Sequence, residues 1–171
     1  MLMKTINYQH GVGLVEVLIA LLILAIGVLG FIALQYRAVE ATSESGARIQ
    51  AINISRDLAE RMRVNRGAAN VYEGQLISAA NQRISSKNCF TSNCTSSELA
   101  DFDVAQITNK ARALGMAVNY IGCPGNNNGR MCIYVAWGDT APLNGTVNGE
   151  GNCTTGTSYD PNSTCLIMEV Y

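Results

Sequence analysis

The chain has 171 residues, of which 48% are hydrophobic and only 15% charged; 12 Lys and Arg stand against 13 Asp and Glu, a net charge of about −1. That length suits one domain of ordinary size. The composition is too apolar for a disordered chain, and it lacks the basic excess of a nucleic-acid binder.

Residues 1–11 (MLMKTINYQHG) are short and polar, with Lys4 as their one positive charge and His10 as the only histidine of the chain. Residues 17–34 then form an 18-residue run without a polar side chain, the length of a membrane-spanning helix. A secretory signal would place its apolar region before the cleavage site. Here Gly11 precedes the run, so cleavage after it leaves the membrane segment on the mature chain. Loss of the leader also removes His10, which argues against Ser–His and Cys–His catalysis and against most zinc enzymes. No catalytic residue, metal site or cofactor is read.

Residues 12–66 read as one long helix. The first proline is Pro124, and backbone groups inside lipid must pair internally. Beyond Leu34 the pattern becomes amphipathic. Ile54, Leu58 and Met62 recur every four residues, widened by Ala51, Ile52 and Ala59. Arg48, Arg56, Arg61, Arg63 and Arg66 read as a solvated face, with Asp57 and Arg61 as an i,i+4 pair. At 1.5 Å per residue the helix spans roughly 80 Å, of which a bilayer takes about 30 Å. Gly67 is the expected cap.

Residues 67–96 read as a mixed loop. A helix is expected at about 97–114, capped by Ser97, with Leu99, Phe102, Val104, Ile107, Ala111 and Leu114 as its apolar positions. Asp101 and Asp103 stand at i,i+2 and diverge, so they form no catalytic carboxylate pair. Strands are expected at AVNYIG and MCIYVAWG around the turn CPGNNNGR, and at the closing TCLIMEVY. Residues 139–163 read as one long polar loop with six Gly or Pro. Asp139 and Asp160 lie in it without the D-x-D spacing of a calcium loop.

Glu16 is the only charge within residues 12–34. A carboxylate inside a membrane helix costs about 2.5–3.5 kcal/mol on insertion scales, so it calls for a partner. With Gly11 just before, a short basic leader and a long helix, the sequence resembles the type IV pilin family. EVLIALLILAIGVLG, DLAERMRVNR and SELADFDVAQ resemble minor pilins of the PilV type. The apolar run has no proline, which major pilins commonly carry there.

The resemblance implies an α+β fold: a long N-terminal α-helix packed on a small antiparallel β-sheet. Four parts follow: 1–11 as leader, 12–34 as membrane and assembly half of the helix, 35–66 as its amphipathic half, and 67–171 as a disulfide-containing head. It implies cleavage between Gly11 and Val12 by a prepilin peptidase and N-methylation of Val12. Glu16 would pair with a neighbouring subunit's Val12 amine. The implied protein is a non-catalytic minor pilin, near the pilus tip with other minor pilins, the major pilin and a tip adhesin, in a system for twitching motility and cell adhesion. Before assembly it would sit in the inner membrane with its head in the periplasm.

All six cysteines lie after the apolar run, as expected for an oxidising compartment. Their pairing is open from sequence. Pairing of neighbours is preferred: Cys89–Cys94, Cys123–Cys132 across the hairpin, and Cys153–Cys165, the last like the C-terminal disulfide loop of many pilins. The residues from 113 onward carry Arg130 against Asp139, Glu150, Asp160 and Glu169, which suits packing of this acidic head on a basic stem. The related minor pseudopilin of a type II secretion system is the alternative. An anchored binding module, which predicts no cleavage, and an anchored hydrolase stand further off.

Overall fold

The computed structural model describes residues 11, 13–79, 81–126, 128–147, 149 and 151–170. The chain divides into two compact units, Met1–Glu44 and Ser45–Tyr171. Helix α1, Leu14–Val64, runs through both.

Within the first unit, every described residue is exposed. The second unit buries the stripe expected on α1: Ala51, Ile54, Leu58 and Met62, with Ile52 and Ala59 half-buried at its flanks. Ser55 is buried in the same stripe, and its hydroxyl finds no partner. The helix ends two residues earlier than expected. Asn65 turns the chain, donating from Nδ2 to the Ser96 carbonyl at 2.8 Å. Gly67 is not its cap; it lies inside the 3-10 turn Arg66–Ala68.

The expected loop after this point contains a second helix, α2, Ala69–Ile77. At nine residues it is too short to stand on propensity. Tyr72 and Leu76, one turn apart and fully buried, hold it in place. Helix α3, Ser96–Ala113, is capped by Thr95 rather than Ser97. Thr95 Oγ1 accepts from the Glu98 amide and the Glu98 carboxylate accepts from the Thr95 amide, a reciprocal capping box.

Strands β1 (Met116–Gly122), β2 (Met131–Trp137) and β6 (Cys165–Val170) form an antiparallel sheet in the order β1-β2-β6. Alternation divides its faces. Ile133, Val135 and Trp137 join Val118, Leu166 and Met168 against the helices. Cys132, Tyr134 and Ala136 point the other way with Ile167.

That second face is covered by the segment read as a polar loop. It contains β3 (Ala141–Gly145), β4 (Asn152–Thr155) and β5 (Ser158–Tyr159), a small sheet with β3 parallel to β4 and β4 antiparallel to β5. A Cβ on Gly145 would stand 2.7 Å from the Thr154 carbonyl, so the β3–β4 approach requires glycine. The Tyr134 hydroxyl lies 2.7 Å from Asn144 Oδ1, joining the two sheets. The outcome is α+β as expected, with one more helix and one more sheet. Tyr171, placed on the last strand by its pattern, lies outside the described residues.

Candidate functional site

Two regions carry the residues singled out by sequence: the N-terminal segment and the disulfide-stapled head.

Gly11 is exposed, and a Cβ there would meet nothing within 4 Å. Val12 lies outside the described residues, as do residues 1–10. Helix α1 starts where the Gly13 carbonyl accepts from the amides of Glu16, at 2.9 Å, and Val17, at 3.3 Å. Glu16 therefore occupies the first turn, where the helix dipole favours a carboxylate. Along one side it shares a shallow surface with Val17, Ala20, Leu21 and Leu24.

From Leu14, 78% exposed, to Leu34, 72% exposed, none of the described residues covers the helix. It is apolar on all sides and long enough to cross a membrane. Such a surface is stable only against lipid or other apolar helices. Tyr36 and the Arg37–Glu40 pair, 3.0 Å apart, follow directly. Aromatic and cationic residues of this kind suit a membrane–water boundary.

In the head, Cys89 bonds Cys94, Cys123 bonds Cys132, and Cys153 bonds Cys165, with Cα separations of 5.6, 5.0 and 5.5 Å. The first closes the loop that ends at the Thr95 cap. The second closes the β1–β2 hairpin, where the Cys123 amide donates to the Arg130 carbonyl. The third ties β4 to β6 and thereby one sheet to the other. Beside it, Asp160 accepts from the Gly149 amide at 2.8 Å and the Asn162 amide at 2.9 Å. Those hydrogen bonds hold its carboxyl below the usual carboxylate range. Asp160 thus organises the loop.

The sequence reading missed a polar network between α1, α2 and α3. Arg61 donates from Nε to Asp57 Oδ1 at 2.8 Å, and from Nη1 to Asp103 Oδ1 at 2.7 Å and Gln106 Oε1 at 3.1 Å. The buried Tyr72 hydroxyl donates to Asp103 Oδ2 at 2.6 Å. Burial, then the Asp103 hydrogen bond, push the Tyr72 phenol well above its ordinary value, so it remains a donor. Lys110 completes the group, 3.4 Å from Asp57 Oδ2.

Arg61 is therefore not part of a solvated face; its side chain is 30% exposed and committed inside the chain. Its place beside Leu58 and Met62 in the repeat was the available signal. Asp101 and Asp103 do diverge: Asp101 accepts from the Ser86 amide and hydroxyl, away from the network. Among the described residues no group of three or more His, Cys, Asp or Glu is placed to hold a metal ion.

Two family models match in succession. Residues 6–32 match the prokaryotic N-terminal methylation motif, and residues 33–105 match Type IV pilin Tt1218. No curated protein and no solved structure matches the chain significantly. The methylation motif marks the chain as a substrate of a processing peptidase, and the second model is that of a pilin subunit. The chain belongs to the type IV pilin family.

Proposed function

We propose that this pilin is a minor subunit of a type IV pilus that helps to initiate assembly at or near the tip. It is held before assembly in the inner membrane, with its head in the periplasm. Residues 1–11 are the leader, 12–34 the membrane and assembly half, 35–66 the amphipathic half and 67–171 the head. Prepilin peptidase cuts between Gly11 and Val12, and the new Val12 amine is methylated.

The observation that carries this reading is Glu16, in the first turn of an uncovered apolar helix five residues after Gly11. A lone carboxylate among apolar groups gains most from a cation at the same depth. The Val12 amine of a neighbouring subunit is such a cation, and the pairing selects one axial register. The minor role rests on the resemblance to minor pilins and on the absence of proline from the apolar run. Other minor pilins, the major pilin and a tip adhesin are the expected partners.

A deletion strain tests the role, with sheared surface pili and protein secretion measured in the same cultures. A sharp fall in pili with normal secretion supports a priming minor pilin. Lost secretion with persistent pili makes the chain a pseudopilin of a type II secretion system. Glu16→Leu should be cleaved normally yet assemble poorly, whereas Gly11→Val should remain uncleaved by mass spectrometry of the N-terminal peptide.

A further inference from the structure

The head has five cationic side chains beyond residue 66, and three of them meet an acid. Lys87 lies 3.2 Å from Glu98, Lys110 3.4 Å from Asp57 and Arg130 3.0 Å from Glu169. Arg83 and Arg112 have no acidic partner among the described residues, and both border the same cleft. It opens between the turn at Asn81–Arg83, the end of α3, the start of β1 and the end of β2. Besides the two arginines it is lined by Gln82, Thr108, Trp137 and Thr140, and among the described residues no Asp or Glu lines it.

The rim is built rather than accidental. Asn109 stands between the two arginines: its Nδ2 donates to the Arg83 carbonyl at 3.3 Å, and its Oδ1 accepts from Arg112 Nη1 at 3.2 Å. Gln82 fixes the turn from below. Its Nε2 donates to the carbonyls of Leu76 and Val118, and its own carbonyl accepts from Thr108 Oγ1. Two guanidinium groups are thus presented over a preformed, mostly apolar floor. Arg112 sits in the last turn of α3, where the partial negative charge of the helix dipole favours a cation.

We propose that this cleft receives an acidic peptide segment of another subunit, with Arg83 and Arg112 binding its carboxylate. A guanidinium matches a carboxylate in planar, two-pronged geometry. The apolar floor makes the pairing stronger than on an open surface, because water is displaced from one side. Charge complementarity favours a protein partner of this family: from residue 113 this chain's own C-terminal part carries four acids against one base, Arg130. After Glu169 pairs with Arg130 and Asp160 with its loop amides, the exposed Asp139 is still uncommitted to any cation among the described residues. The cleft lies wholly in the second compact unit, and the proposal does not depend on minor status or tip position.

Trp137 is the only tryptophan of the chain and lines the cleft, so its fluorescence reports occupancy. The full chain in neutral-lipid nanodiscs is titrated with a glutamate-rich peptide, with the same peptide carrying glutamine, and with phosphatidylglycerol vesicles. The glutamate peptide should shift Trp137 emission saturably. Arg83→Gln and Arg112→Gln should each weaken it by about tenfold or more, as expected for a lost charge-assisted contact. Arg130→Gln, away from the cleft, should leave it unchanged. Both cleft arginines are exposed, so unchanged thermal midpoints are expected and certify the fold. Equal binding of the glutamine peptide, or undiminished binding by the double variant, overturns the proposal. A response to the vesicles without one to the peptide also overturns it, in favour of a lipid headgroup.

Discussion

Replacing Arg61 by methionine keeps the aliphatic stem against α3 and removes only the guanidinium. Asp103, whose side chain is 9% exposed, then loses its cation and keeps the Tyr72 hydroxyl; Asp57 keeps the more distant Lys110. Breaking a fully buried pair costs about 3–5 kcal/mol, and breaking an exposed one less than about 1 kcal/mol. With Arg61 30% exposed and Asp103 buried, the expected loss is about 2 kcal/mol. Urea unfolding of the full chain in detergent micelles, followed by Trp137 fluorescence, measures it. Arg63→Met is the control: Arg63 lies 3.7 Å from Glu60 with both side chains more than half exposed, so it should cost less than about 0.5 kcal/mol. Asp103→Asn added to Arg61→Met should cost less than the sum of the two, since the orphaned charge is gone. If Arg61→Met matches the Arg63 control, the network contributes nothing and the reasoning fails.

The same network sets an acid dependence. Burial alone would raise the Asp57 carboxyl, but hydrogen bonds and charge from Arg61 and Lys110 bring it below its ordinary value. A depressed carboxylate contributes stability that is present above its unfolded pKa, near 4, and lost as pH falls through the folded value. Wild type should therefore lose more stability below about pH 4 than Arg61→Met does, in the same urea assay. At the alkaline end burial pushes Tyr134 up to about 12 and also raises Tyr72. Their contribution is full below about pH 10 and declines as pH rises further, which tyrosinate absorbance against urea midpoint will show. Thr95→Ala removes the α3 cap and should cost about 1 kcal/mol, read as a lower thermal midpoint. Replacing Cys153 and Cys165 together by serine should cost about 3 kcal/mol, with faster amide exchange in β3, β4 and β5.

The elements visible in the sequence are those whose signal is local. Glu16 in an uninterrupted apolar run, the four-residue repeat Ile54–Leu58–Met62, and alternation in MCIYVAW each state a period and a boundary without reference to anything distant. The elements that were not legible depend on neighbours. Helix α2 exists because Tyr72 finds Asp103, 31 residues away, and Leu76 finds the core. The strands between Ala141 and Tyr159 are short and rich in turn residues. They form because Tyr134, Ala136 and Cys165 give them a surface to cover, to which Cys153 is bonded.

The sequence by itself determined that this chain has an N-terminal helix apolar enough for a membrane, a cleavable-leader pattern ahead of it and an α+β head. The apolar helix follows from composition and the helix and strands of the head from periodicity, which backbone geometry reads directly; the leader pattern rests on the resemblance to the pilin family. Only the tertiary structure decided which charges are solvated and which are committed. Arg61 and Arg63 stand in one list of helix-face arginines, and Arg83 and Arg130 in one list of head cations. Their difference is the distance to a carboxylate brought by another element, and electrostatic energy depends on that distance and on burial, neither of which is a local property of the chain.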